Sequence, residues 1–110
     1  MFARMSKTDP TNAELFAALG DSTRLVLVER LLAGDRSIAQ LADGLPMSRQ
    51  AVRKHLGVLE AAGLVSRSPN GREQRYALVR ARIEAAQAYL DSVSAQWDDA
   101  LARLKAMVER

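Results

Sequence analysis

The hydrophobic period of this chain changes at Gly63, and that change limits the folds open to it. Upstream, Val52, Leu56 and Leu59 recur at i, i+4 and i+7, which sets three apolar side chains on one stripe of a helix. Ser48 offers an N-cap before the stripe and Gly63 a stop after it. Downstream, Leu64-Val65-Ser66-Arg67-Ser68 and Glu73-Gln74-Arg75-Tyr76-Ala77-Leu78 read as short strands, separated by Pro69-Asn70-Gly71-Arg72. Asn-Gly is a strong hairpin signal, because both residues tolerate the positive φ of a tight turn. A capped helix running straight into a hairpin leaves few arrangements for a 110-residue chain, which has room for a single modest core.

The segments around this junction are helical. Thr11-Asn12-Ala13-Glu14 has the capping-box pattern and opens a helix that buries Leu15, Phe16 and Leu19 and stops at Gly20. Asp21 or Ser22 caps a second helix, with Leu25, Val28, Leu31 and Leu32 on its inner side and an end at Gly34. Ser37-Ile38-Ala39-Gln40 is another capping box, starting a short third helix with Ile38, Leu41 and Ala42 inward. That helix ends near Gly44, and Pro46 forces a break before the fourth at Ser48. From about Arg82 to Glu109 the pattern is one long helix. Met1 to Pro10 is polar and aperiodic, so residues 1–10 are expected to be a disordered tail and 11–110 a single folded unit. The fold class is mostly α with a small β-hairpin, in the order of four helices, two strands and a long C-terminal helix.

Charge is unevenly spread. The chain carries +3 overall, but residues 48–82 hold eight basic side chains against Glu60 and Glu73, a local +6 that leaves −3 elsewhere. A basic segment of that kind suits a polyanion, whose counterions are released on binding. The third and fourth helices are joined by Gly44-Leu45-Pro46-Met47, the connection of a helix–turn–helix, in which the second helix enters the DNA major groove. With Val52, Leu56 and Leu59 inward, Arg49, Gln50, Arg53 and Lys54 must face outward. Arg49/Arg53 and Gln50/Lys54 form two i, i+4 ridges of long donors; Arg can pair bidentately with guanine and Gln with adenine. The amides beside the Ser48 cap suit a phosphate.

The hairpin that follows carries Arg67, Arg72 and Arg75, the layout of a wing that touches backbone or minor groove beside the main site. Arg72 at the turn is the expected contact. Arg67 and Arg75 either align along the ribbon toward phosphates or are simply solvated.

Several classes are disfavoured. The absence of cysteine excludes disulfides, thiolate metal sites and cysteine nucleophiles. The longest apolar runs, such as Leu25 to Val28, are too short for a membrane span, and the start Met1-Phe2-Ala3-Arg4 lacks a signal-peptide core, so the cytoplasm is expected. No base–nucleophile pairing stands out for an enzyme. A winged helix used for protein contacts would show an apolar or acidic outer face on the fourth helix; an RNA-binding one stays open.

The last helix repeats Ile83, Ala86, Leu90, Val93, Trp97, Ala100, Leu104 and Met107 at 3-4 spacing, widened by Leu101 and Val108. One small domain has no spare core for so long a face, so a second copy is expected to cover it through Leu90, Val93, Trp97, Leu101 and Leu104, with Phe16 and Leu19 joining. The alternative is a helix folded back on its own domain. Tyr89 and Trp97 either line a small-molecule pocket at that interface or are core.

Three stretches resemble the ArsR/SmtB family of bacterial winged-helix repressors: Ala18-Leu19-Gly20-Asp21-Ser22-Thr23-Arg24-Leu25, the run from Ser48 to Val65 (SRQAVRKHLGVLEAAGLV), and Gly71-Arg72-Glu73-Gln74-Arg75-Tyr76-Ala77-Leu78. By motif the similarity covers Ala13 to Leu78. It implies a dimeric repressor that leaves double-stranded operator DNA when a signal binds. Ser48, Arg49, Gln50, Arg53 and Lys54 match the family's DNA-reading positions and Arg72 its wing tip. Ser22 departs from the pattern, where many members have proline, and this changes a helix start only. The family name suggests metal sensing, yet the third helix offers no thiolate and the last helix no histidine. His55 is read as a packing or phosphate-contact residue. No metal and no cofactor are therefore expected; the chain resembles the metal-free branch, which carries a tryptophan in the final helix as Trp97 does here. The effector, small molecule or protein, is left open.

Overall fold

The computed structural model describes residues 11–109, so the tail expected at 1–10 lies outside the described residues. The elements are α1 (Asn12–Leu19), α2 (Ser22–Leu32), β1 (Arg36–Ser37), α3 (Ile38–Ala42), α4 (Arg49–Ala61), β2 (Val65–Asn70), β3 (Glu73–Leu78) and α5 (Arg80–Val108). Polar side chains set the helix starts. Thr11 and Ser37 each form a full capping box, with Glu14 and Gln40 reaching back to the cap amides at 2.9 Å. Asp21 and Ser48 accept from Arg24 N and Ala51 N at 3.0 and 3.1 Å. The α4 stop is a Schellman turn: Leu64 N donates to Leu59 O and Gly63 N to Glu60 O, both at 3.0 Å, with Gly63 at φ +79°. It swings Leu64 and Val65 into the core and launches β2.

The sheet has one strand more than expected. β1 pairs antiparallel with β3, giving the order β1-β3-β2, and β2 keeps one free edge that contains Pro69. Two residues are too few to show a period of two. The turn also differs in detail. Asn70 pairs with Glu73, so the loop is Gly71-Arg72 with Gly71 at φ +65°, and no non-glycine among the described residues has positive φ. Glycine first and an ordinary φ second is the sign pattern of a type II′ turn, and Asn70 is a strand residue.

The core gathers Leu15 and Ala18 of α1, Leu27 and Leu31 of α2, Leu41 of α3, Val52, Leu56 and Leu59 of α4, and Tyr76 of β3. The inner face expected for α2 is corrected here. Leu25 and Leu32 are exposed, Leu27 and Leu31 fully covered, and Val28 half-buried. Leu25-Val26-Leu27-Val28 is apolar throughout, so periodicity alone cannot choose its inner side. In α1, Phe16 and Leu19 are half-buried against the core, and the Phe16 ring meets Tyr89 of α5 at 5.9 Å between centroids.

Only Ala86 of α5 is buried, while Leu90, Trp97, Leu101, Leu104, Met107 and Val108 are exposed and Val93 is half-buried. The helix projects. The Cα radius of gyration is 18.3 Å, whereas a compact chain of this length has about 13 Å. Tyr89 packs on Phe16, and the shallow hollow at Trp97 is lined by Gln96 and Ala100.

Candidate nucleic-acid interface

The helix–turn–helix is held from behind by α2. Arg30 Nη1 donates to Leu41 O at 2.9 Å and Asp43 O at 2.7 Å, satisfying carbonyls at the end of the five-residue α3. Gly44 takes φ +77°, and Leu45 N closes back on Ala42 O at 3.0 Å, which brings the chain round to Ser48. Val52, Leu56 and Leu59 then anchor α4 at zero exposure.

Ser48, Arg49, Gln50, Arg53 and Lys54 are all exposed. The first turn of α4 has no acidic residue. Basic side chains at a helix N-terminus oppose its dipole, and an anion there is favoured. Arg49 and Arg53 share a groove of about 450 Å³ with Arg72 from the β2–β3 turn, walled by Ile38 and Ala39 of α3 and by Glu73, Gln74 and Tyr76 of β3. α4 and the hairpin tip thus line one space with three arginines.

Three other basic residues of 48–82 are placed differently. Arg67 lies 3.4 Å from Glu60 of α4 and is about half exposed, a pair that contributes little energy but ties β2 to α4. Arg75 donates to Asp35 O at 3.0 Å beside β1, and Arg82 to Thr11 O at 3.0 Å. Each of these guanidinium groups spends an N–H inside the chain, a placement that charge counting does not show.

A second polar cluster escaped sequence reasoning, although its residues stand in the family-like stretches. Arg24 donates from Nε to Ala18 O and from Nη2 to Ala17 O, at the end of α1. Its Nη1 lies 3.2 Å from His55 Nδ1 of α4, and Asp21 Oδ2 is 3.7 Å from the same nitrogen. The Arg24 amide donates to Asp21 and, with the Arg24 charge, holds that carboxyl below its usual range against partial desolvation. A depressed carboxylate stabilises the fold above its unfolded value, about 3.9, and loses that contribution as pH falls toward the lower folded value. Asp21→Asn is therefore expected to melt lower at neutral pH and to close the gap on acidification below about pH 4. Melting curves that stay parallel across that window would remove Asp21 from the acid response.

The chain has no cysteine, the described residues include no group of three or more His, Asp or Glu able to hold an ion, and His55 Nδ1 faces Arg24. No helix among the described residues is long and apolar enough to cross a membrane.

A braced two-helix reader with a basic hairpin at its flank is a winged-helix DNA-binding domain. Residues 19–67 match the family described as a helix–turn–helix domain. The chain is 43% identical over 74 residues to the HTH-type transcriptional regulator Rv2034 of Mycobacterium tuberculosis, covering 67% of this chain and 69% of that one. It is 34% identical over 88 residues to the HTH-type transcriptional repressor SmtB of Mycobacterium tuberculosis, covering 80% of this chain and 64% of the relative. Among solved structures, an ArsR-like transcriptional regulator from Rhodococcus sp. RHA1 superposes with TM-score 0.77 at 42% identity, over 87% of this chain and 91% of the other. The chain belongs to the ArsR/SmtB family of winged helix–turn–helix transcriptional regulators, and is a DNA-binding regulator of that type. Transcriptional regulators of this family are not an enzyme class.

Proposed function

We propose that the chain is a homodimeric cytoplasmic repressor. Residues 11–110 form one DNA-binding and dimerisation unit. Two copies pair through Leu90, Val93, Trp97, Leu101 and Leu104 of α5, joined by Phe16 of α1, and set their α4 helices about 34 Å apart on a palindromic operator. Arg49, Gln50, Arg53 and Lys54 meet base edges in the major groove. Ser48 and the amides behind it meet a phosphate, Arg72 grips the backbone or minor groove alongside, and Arg67 and Arg75 steady the wing while keeping donors for phosphates. The observation that carries this reading is the groove shared by Arg49, Arg53 and Arg72. The effector that releases it, small molecule or protein, is left open.

Footprinting on genomic fragments tests the reading directly: it should show paired protected half-sites about one helical turn apart. Arg72→Ala is expected to weaken operator and random duplex alike and to lower the slope of log affinity against log salt by about one. An unchanged slope would take Arg72 out of phosphate contact.

A further inference from the structure

The Asp21–Arg24–His55 cluster lies away from the groove that faces DNA, and neither the core nor the wing uses it. His55 and Arg53 differ by two residues on one helix, about 200° of rotation, so they lie on nearly opposite sides of α4. His55 is half-buried and Arg53 exposed. Two groups of α2 compete for the one ring nitrogen that His55 turns toward it. Arg24 Nη1 at 3.2 Å is within hydrogen-bond reach, whereas Asp21 Oδ2 at 3.7 Å is not. A guanidinium can only donate, so in this hydrogen bond Nδ1 is the acceptor. Arg24 is itself fixed by the Ala17 and Ala18 carbonyls at the end of α1. Its backbone amide completes the Asp21 cap. The seat beneath His55 is thus rigid on three counts.

We propose that Arg24 and Asp21 form a seat for His55 that fixes the roll of α4 about its own axis, making His55 a positioning residue for DNA reading. The apolar stripe anchors α4, but hydrophobic contact is non-directional and so resists a small roll less than it resists withdrawal. A directed hydrogen bond resists the roll itself. A roll of about 15° moves a side-chain tip about 6 Å from the axis by about 1.5 Å. That shift breaks a bidentate contact to a base while leaving phosphates within reach of flexible arms. The seat therefore acts on sequence discrimination and leaves non-specific affinity alone.

This inference rests on α4 being the DNA-reading helix, and the test separates the two claims. The probe is a labelled duplex of the sequence that wild-type protein selects from a random pool, measured against a scrambled duplex of equal length over a salt series. His55→Leu keeps the bulk and removes the acceptor; it should lower the specific-to-scrambled affinity ratio about tenfold with an unchanged salt slope. His55→Asn restores an acceptor near the Nδ1 position and should recover most of the ratio. Arg24→Lys keeps the charge, loses the fork, and should behave like His55→Leu. A His55→Leu ratio equal to wild type, or an Asn variant no better than Leu at equal melting temperature, overturns the seat. If Arg53→Ala also keeps the full ratio, the α4 reading itself has failed; if only Arg53→Ala loses it, the seat alone has failed.

Discussion

Trp97→Asp is expected to sediment as a monomer at concentrations where the wild-type chain forms the proposed dimer, and to lose about 10²–10⁴ in operator affinity as the two half-sites become independent. Trp97 stands near the middle of the exposed stripe of α5 and is 63% exposed in the single chain. A tryptophan buries about 150–250 Å² in all; with 63% of it still open, a partner would cover about 95–160 Å², worth about 2–4 kcal/mol per copy at about 25 cal/mol per Å². A carboxylate in its place would have to be desolvated without a partner. The substitution leaves the domain itself intact, because Trp97 is outside the core cluster. The variant should therefore keep its helical spectrum and bind scrambled DNA weakly but measurably. Persistent dimers would take α5 out of the interface and leave its apolar face to another occupant.

The Arg49→Ala/Arg53→Ala double variant has the second large effect. Each guanidinium that pairs with a base contributes about 1–3 kcal/mol of discrimination. The two sit one turn apart in one groove, so their losses should couple rather than simply add. We expect operator binding to fall by about a hundredfold or more, until operator and scrambled duplex are barely distinguished. Melting temperature should hold or rise, since removing two stacked like charges from an acid-free helix start relieves a few tenths of a kcal/mol, about the size of one i, i+4 pair. Unaltered operator affinity would end the recognition-helix assignment. The opposite signs on binding and stability make the pair informative: α4 carries side chains that suit a ligand better than they suit the helix.

Much of this was legible in the residues. Caps and stops are local chemistry, so Thr11, Ser37, Ser48 and Gly63 mark their boundaries without tertiary information. The stripe of α4 was legible because Arg49, Gln50, Arg53, Lys54, His55 and Glu60 set polar positions between its apolar ones. α2 was not, because a run of four apolar residues leaves its inner side to be chosen by what packs against it. β1 depends on pairing with Tyr76 and Arg75, forty residues away, and carries no signal of its own. The hairpin was visible in Asn70-Gly71, but its register depends on where the ladder ends, which moves the turn by one residue. The same holds for the site. Exposure of Arg49, Gln50, Arg53 and Lys54 follows from helical spacing, whereas the ties of Arg67 to Glu60 and Arg75 to Asp35 depend on how strands lie against helices.

The wing must stay uncovered to reach DNA, and its outer strand β2 pairs on one side only. Such an edge invites a second strand from any neighbouring copy. Pro69 removes an N–H from that edge and Arg67 adds a charge. The hairpin is thereby a poor template for cross-strand polymerisation, and the wing can stay open without fusing into shared sheets.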